Sequence, residues 1–164
     1  MAQKFTINYD PNDAQQQLAG AIADNAKVVL FLGGIRSGKS VGGVAECLKQ
    51  IYTYDRKPRV GWIVSPTYKM SMVTERIFRG MCASNDGSLI MKENRGDRSF
   101  LMRPSSASKG QFYTVEFKSA ENPDYLRGTS ISWIMLDEAA IMDPEAFIIA
   151  QGRVMDNNGI ILLT

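Results

Sequence analysis

Histidine is absent from this 164-residue chain, which excludes an imidazole general base and any histidine-ligated metal site. Cysteine is nearly absent too. Cys47 and Cys82 stand far apart with no CxxC pair, which argues against a zinc knuckle or disulfide framework and predicts reduced core thiols. No apolar run approaches the ~18 residues of a membrane helix, and the opening MAQKFTINYD lacks a signal-peptide core. A soluble, non-secreted, cytoplasmic protein with no membrane partner is expected. Neither charge sign dominates: 19 Lys and Arg against 17 Asp and Glu give +2, so the overall balance neither requires nor excludes a nucleic-acid partner. Internal repeats and low-complexity segments are missing. With 45% hydrophobic and 22% charged residues, general disorder is excluded as well, and the length suits one domain.

What is present is an alternation of strands and helices. After a polar stretch with a short helix near Ala14–Ala23, the run Val28–Leu32 ends in Gly33-Gly34. A continuous apolar run bounded by glycine reads as a strand buried on both faces. Val41, Val44, Ala45, Leu48 and Ile51 recur at helical spacing and predict a helix over Lys39–Tyr52. Val60–Val64 is a second buried strand, and Met70, Val73, Ile77 and Met81 mark an amphipathic helix over Tyr68–Met81. The middle differs: residues 89–91 and 100–102 flank a polar turn and predict a hairpin, 104–111 a flexible loop, and 112–118 an alternating strand with Tyr113, Val115 and Phe117 on one face. Ile131–Leu136 is a strand running into Asp137-Glu138. Asp143-Pro144 opens a helix as N-cap and first position, and Ile160–Leu163 is a last buried strand. The methionines at 70, 81, 91 and 102 read as core filler. The pattern is α/β with a mainly parallel sheet. Because the chain stops one residue after a core strand, a shortened product of a longer chain is expected.

Gly33-Gly34-Ile35-Arg36-Ser37-Gly38-Lys39-Ser40 fits G-x-x-x-x-G-K-[ST], the P-loop or Walker A motif. Several backbone N–H groups must meet phosphate oxygens at once, so glycines stand where a Cβ would block approach or where φ must be positive. The loop opens a helix whose N-terminus favours anions. Lys39 brings a point charge to the β/γ oxygens, and Ser40 offers a hydroxyl to Mg²⁺. Trp133–Leu136 followed by Asp137-Glu138 has the Walker B form with an extra acid. Asp137 is placed to support the metal, and Glu138 to activate the water that attacks the γ-phosphate. The plain alternative is that Glu138 caps the following helix or faces solvent. Together the motifs predict ATP and Mg²⁺ as ligands and hydrolysis as the chemistry.

On these residues the chain resembles the large terminase subunits of tailed bacteriophages, ATPases that package DNA into proheads. The loop carries Arg36 as in the family. Tyr9-Asp10-Pro11-Asn12-Asp13-Ala14-Gln15 is similar to its adenine-recognising Q motif, and Gly61–Tyr68 to the segment after the P-loop helix. Tyr125-Leu126-Arg127-Gly128 resembles the LRG element ahead of the family's DEAA-type Walker B, here Asp137-Glu138-Ala139-Ala140, and Ile161–Thr164 the strand leading into the coupling motif. The resemblance implies an ASCE, RecA-like P-loop NTPase fold over residues 1–164, with lid and nuclease domain absent. It casts Gln15 as the adenine contact and Arg36 as a γ-phosphate sensor. It casts Arg127 as a finger reaching a neighbouring subunit's ATP in a homo-oligomeric ring. The bland readings are an exposed polar helix residue for Gln15, a solvated loop residue for Arg36, and an internal ion pair, with Asp124 for instance, for Arg127. Double-stranded DNA, a portal protein and a small terminase subunit are the implied partners, and the host cytoplasm the implied location.

Between Lys92 and Lys109, five basic residues (Lys92, Arg95, Arg98, Arg103, Lys109) face Glu93 and Asp97. This local excess is a candidate contact for the DNA phosphate backbone, against the reading of a merely solvated hairpin tip. Two rivals to a packaging motor remain: a helicase-like DNA-dependent ATPase, and a nucleotide-binding module without turnover.

Overall fold

The computed structural model describes residues 7, 9–23, 26–34, 36–84, 87–106 and 108–164. Residues 1–6 of the N-terminal stretch, Ile35 of the glycine-rich loop and Ala107 of the polar loop lie outside the described residues. In chain order the elements are α1 (Asp13–Ala23), β1 (Val28–Leu30), α2 (Lys39–Tyr52), β2 (Val60–Ser65) and α3 (Tyr68–Cys82). There follow the short β3 (Ala83–Ser84) and β4 (Gly87–Ser88), then β5 (Ile90–Asn94), β6 (Ser99–Met102), β7 (Tyr113–Ser119), β8 (Trp133–Leu136), α4 (Pro144–Met155) and β9 (Ile160–Leu163). Two 3₁₀ turns, Pro123–Leu126 and Ala139–Ile141, flank β8.

Seven strands form one sheet in the order β1-β9-β8-β2-β7-β6-β5. From β1 to β7 every pair is parallel. The β5–β6 hairpin then adds antiparallel pairs at the far edge. Parallel strands need helical crossovers, and these cover both faces. On one face Leu18 and Ile22 of α1, Leu48 and Ile51 of α2 and Phe78 of α3 pack on Ile63, Val115, Phe117 and Met135. On the other, Ala146, Ile149, Ala150 and Val154 of α4 pack with Leu126 on Trp62, Val64, Ile134 and Ile161. Trp133-Ile134-Met135-Leu136 is buried at every position, as expected of a strand covered on both sides. Among the described residues no helix is long and apolar enough to cross a membrane.

Helix ends follow local chemistry. The Thr67 hydroxyl caps α3 by accepting from Met70 N at 3.2 Å. Asp143 caps α4 through Glu145 N at 2.8 Å, with Pro144 at the first helical position.

Four expectations are corrected. β1 is an edge strand, so Val28 and Leu30 are 46% and 58% exposed rather than buried. The buried face of α3 is Ser71, Thr74, Phe78 and Cys82, one position round from the stripe predicted by Met70, Val73, Ile77 and Met81. Of the four methionines read as filler only Met102 is core; Met91 is 48% exposed and Met70 and Met81 are half-buried. The loop after β6 is not loose: Ser108 is buried, its hydroxyl donates to Gln111 O at 2.7 Å, and its N–H donates to the Ser105 hydroxyl at 3.0 Å.

Candidate nucleotide site

The site assembles where the parallel strands end. Beyond β1 the chain turns through Gly33 and Gly34, and Ser37 N donates to Gly34 O at 3.2 Å. Gly38 then takes φ 82° and opens α2. A side chain at Gly38 would be strained by that φ, and its Cβ would sit 2.7 Å from Gln15 Nε2. The turn therefore needs glycine for conformation and for space. Lys39 is the first residue of α2, and its ammonium donates to the carbonyls of Gly33 at 2.9 Å and Gly34 at 3.3 Å. Arg36 is exposed with φ 63°, and no side-chain hydrogen bond or ion pair holds it among the described residues.

Asp137 follows β8 and is 5% exposed. Its Oδ1 accepts from the Ser40 hydroxyl and the Thr164 hydroxyl, each at 2.8 Å, and its Oδ2 accepts from Thr74. Three elements (the start of α2, the middle of α3 and the end of β9) thus converge on one carboxylate. Ser40 and Asp137 supply hard oxygen donors at hydrogen-bond distance of one another. A hydroxyl and a single carboxylate, completed by phosphate oxygens and water, are a donor set that suits Mg²⁺.

Glu138 takes φ 56°, ψ 44°, a left-handed conformation that costs a non-glycine residue ~1–3 kcal/mol. The strained residue throws the chain out of the sheet, and Ala139 N donates back to Thr164 O at 3.0 Å. Of the plain alternative, capping fails, because Glu138 makes no side-chain bond to the 3₁₀ turn that follows, while the solvent-facing half is met. Its carboxylate is exposed, and among the described residues it makes no hydrogen bond or ion pair. A groove of about 590 Å³ brings Gly33, Lys39, Glu138 and Thr164 onto one wall-to-wall surface, with Leu32, Met142 and Phe147 supplying apolar lining.

Gln15 sits beneath the loop. It is 5% exposed, its amide nitrogen donates to Gly38 O at 3.0 Å, and its amide oxygen accepts from Asn12 N at 3.0 Å. The exposed-polar alternative is therefore excluded, and the amide expected to read adenine is engaged with the loop backbone. Arg127 is not among the residues lining that groove. Its guanidinium pairs with Asp124 at 2.7 Å and Glu145 at 2.8 Å, with the side chain 54% exposed.

The basic stretch after β4 is largely paired. Arg95 meets Glu93 at 2.9 Å, Arg98 meets Glu75 at 2.6 Å and Lys109 meets Asp55 at 3.2 Å, while Arg103 donates to Ser88 O. The Arg79 guanidinium, and Arg95 after it, hold the Glu93 carboxyl down to about 2. Arg76 and Arg79 of α3 join Arg95 and Arg98 along a second groove of about 360 Å³. Sequence reading missed these two arginines, though their i, i+3 spacing put them on one helix edge. It also missed Thr74, whose signal was a small hydroxyl on the α3 face that proves to be buried.

The curated relative from Thermus virus P23-45, a terminase large subunit, is 29% identical over 147 residues, which cover 83% of this chain and 29% of the relative. The large terminase ATPase domain of Thermus phage P74-26 superposes with a TM-score of 0.69 at 24% identity, over 96% of this chain and 65% of that one. The chain resembles the phage large terminase subunits. The large terminase of a thermophilic bacteriophage, solved in complex with ATP-γ-S, matches with a TM-score of 0.70 at 14% identity, over 92% of this chain and 36% of the other. No family model matches. The fold is that of these large terminase structures, a mainly parallel α/β sheet with helices on both faces, and the chain spans less than a third of the curated relative's length.

Proposed function

We propose that this chain is the ATPase core of a DNA-packaging motor, hydrolysing ATP to drive double-stranded DNA into a viral prohead. The observation that carries the reading is the convergence of Ser40 and Asp137, with Glu138, unpartnered among the described residues, beside Lys39 at the sheet's C-terminal end. ATP phosphates lie against the Gly33–Ser40 loop and the α2 N-terminus, with Lys39 released from the loop carbonyls onto their oxygens. Ser40 and Asp137 would hold Mg²⁺, which when bound would supply charge neutralisation at the phosphates. Glu138 accepts the proton of a water that attacks the γ-phosphorus, and the bond to the β–γ bridging oxygen breaks, leaving ADP and phosphate. Arg36 reports on the γ-phosphate from the loop.

Arg127 serves a neighbouring subunit in a ring. Its two partners are solvent-exposed ion pairs, which are individually weak, so a phosphate offered by another subunit displaces them at small cost. The arginines along α3 and the hairpin provide backbone contacts for DNA that need not read its sequence. A portal protein and a small terminase subunit complete the proposed assembly, in the host cytoplasm.

The test is phosphate release from Mg·ATP against protein concentration, with and without duplex DNA, for the wild type, Glu138→Gln and Arg127→Ala. Specific activity is expected to rise with concentration and with duplex. Glu138→Gln should lose ~10²–10⁴-fold in turnover while still binding ATP. Flat background release alongside Lys39-dependent ATP binding refutes turnover by this chain and leaves a nucleotide-binding module. Stimulation by single strands rather than duplex points to a helicase-like enzyme.

A further inference from the structure

Thr74 is a polar residue on a helix face that otherwise packs against the sheet, and it is 1% exposed. Its hydroxyl is spent on Asp137 Oδ2. Because Ser40 and Thr164 both donate to Oδ1, the Thr74 bond is what fixes the second oxygen and so the plane of the carboxylate.

The same turn of α3 is gripped from its other side. Arg98 donates to the Ser71 hydroxyl, and its Nε and Nη2 donate to Glu75 Oε2 at 3.0 and 2.6 Å. Ser71 and Glu75 bracket Thr74 in sequence, one turn before and one residue after. Arg98 is itself fixed at the hairpin end: it takes φ 50°, its carbonyl accepts from Phe117 N at 3.0 Å, and its guanidinium lies 4.6 Å from the Tyr68 ring centroid. The hairpin thus grips by hydrogen bonds the helical turn that carries Thr74, and Thr74 in turn bonds Asp137.

We propose that Thr74 is a positioning residue for Asp137, and that Arg98 holds Thr74 in place through α3. The inference rests on the reading of the Gly33–Ser40 loop as a Mg·ATP site. Partners that orient a metal-holding carboxylate typically change metal affinity ~10–100-fold when removed.

The experiment measures binding of a fluorescent ATP analogue while free Mg²⁺ is titrated, for wild type, Lys39→Ala, Thr74→Val, Thr74→Ser, Arg98→Met and the Thr74→Val/Arg98→Met double variant. Thr74→Val is expected to need at least roughly tenfold more Mg²⁺ for half-saturation, with affinity at saturating Mg²⁺ close to wild type. Thr74→Ser, which keeps the hydroxyl, should stay close to wild type. Arg98→Met should move in the same direction as Thr74→Val, and the double variant should be no worse than Thr74→Val, as coupled residues behave. Thr74→Ala is read the same way if the valine variant does not fold. Unchanged Mg²⁺ dependence on loss of the hydroxyl, or a serine variant as impaired as valine, overturns the positioning role. Full additivity overturns the link to Arg98. A wild type that fails to bind the analogue, or binds it independently of Lys39, defeats the nucleotide-site reading and this inference with it. Normal wild-type binding with wild-type-like Thr74→Val defeats this inference alone.

Discussion

Replacing Gln15 by alanine separates two roles for one amide. In the structure that amide supports the loop: it bonds Gly38 O and Asn12 N, each at 3.0 Å, in a site 5% exposed. Only the bond to Gly38 O reaches the loop, and one such bond is worth a net ~0.5–1.5 kcal/mol, which Gln15→Ala removes from the loop arrangement. At 1.4 kcal/mol per factor of ten this is a loss of roughly 2–12-fold in affinity. The lost support lies beneath the Gly33–Ser40 loop, so if that loop takes the phosphates as proposed the penalty should be shared by every nucleoside triphosphate. Isothermal titration with ATP and with GTP at saturating Mg²⁺, on wild type and variant, reads the two factors directly. Equal losses support the strut. A loss confined to ATP, with GTP unmoved, refutes the reasoning and shows the amide leaving the loop to read adenine.

Two further outcomes concern the core. In Gly61→Ala the new Cβ would lie 2.0 Å from Trp133 Cε2, in a pair where Trp133 is 1% exposed and stacked on Tyr113 at 6.3 Å. Overpacking of this kind costs ~1–3 kcal/mol, so the melting temperature should fall by about 2–12 °C with a shift in tryptophan emission; an unchanged melt refutes it. Burial pushes the Cys82 thiol up to about 12 from 9.0 and raises Cys47 as well. Raised values keep both thiols protonated at pH 8, so iodoacetamide should label them only after denaturation. The contribution of Cys82 to stability is present below pH 9 and is lost as pH rises toward about 12. Rapid labelling of the native chain would contradict this.

The sequence carried the strand–helix order, the loop and the paired acids because each is a local pattern. Lys39–Tyr52 matched α2 at both ends, and Asp143-Pro144 marked α4 by cap chemistry alone. What stayed hidden depends on neighbours. Val28–Leu32 is as apolar as a central strand, yet nothing in its five residues says that β9 pairs on one side only. On α3 the large apolar residues drew the predicted stripe, but the sheet takes Ser71 and Thr74 because those small side chains admit Arg98 and Asp137. The basic count over 92–109 was correct as charge. It could not show that Glu75 of α3 and Asp55 of the loop before β2 would meet Arg98 and Lys109.

The pairing of β1 with β9 also imposes an order in time. Val28 faces Ile161, and Phe31 N is satisfied by Leu163 O at 2.8 Å, so the strand that presents the glycine-rich loop finds its partner roughly 130 residues later. A ribosome adding ~5–20 residues per second needs about 7–26 s to cover that distance. Through that interval the helix α2 can form locally, but the loop has no sheet to stand on and Thr164 has not reached Asp137. The glycine-rich loop is thus made early and supported late, and a nascent chain lacks this geometry until β9 has emerged.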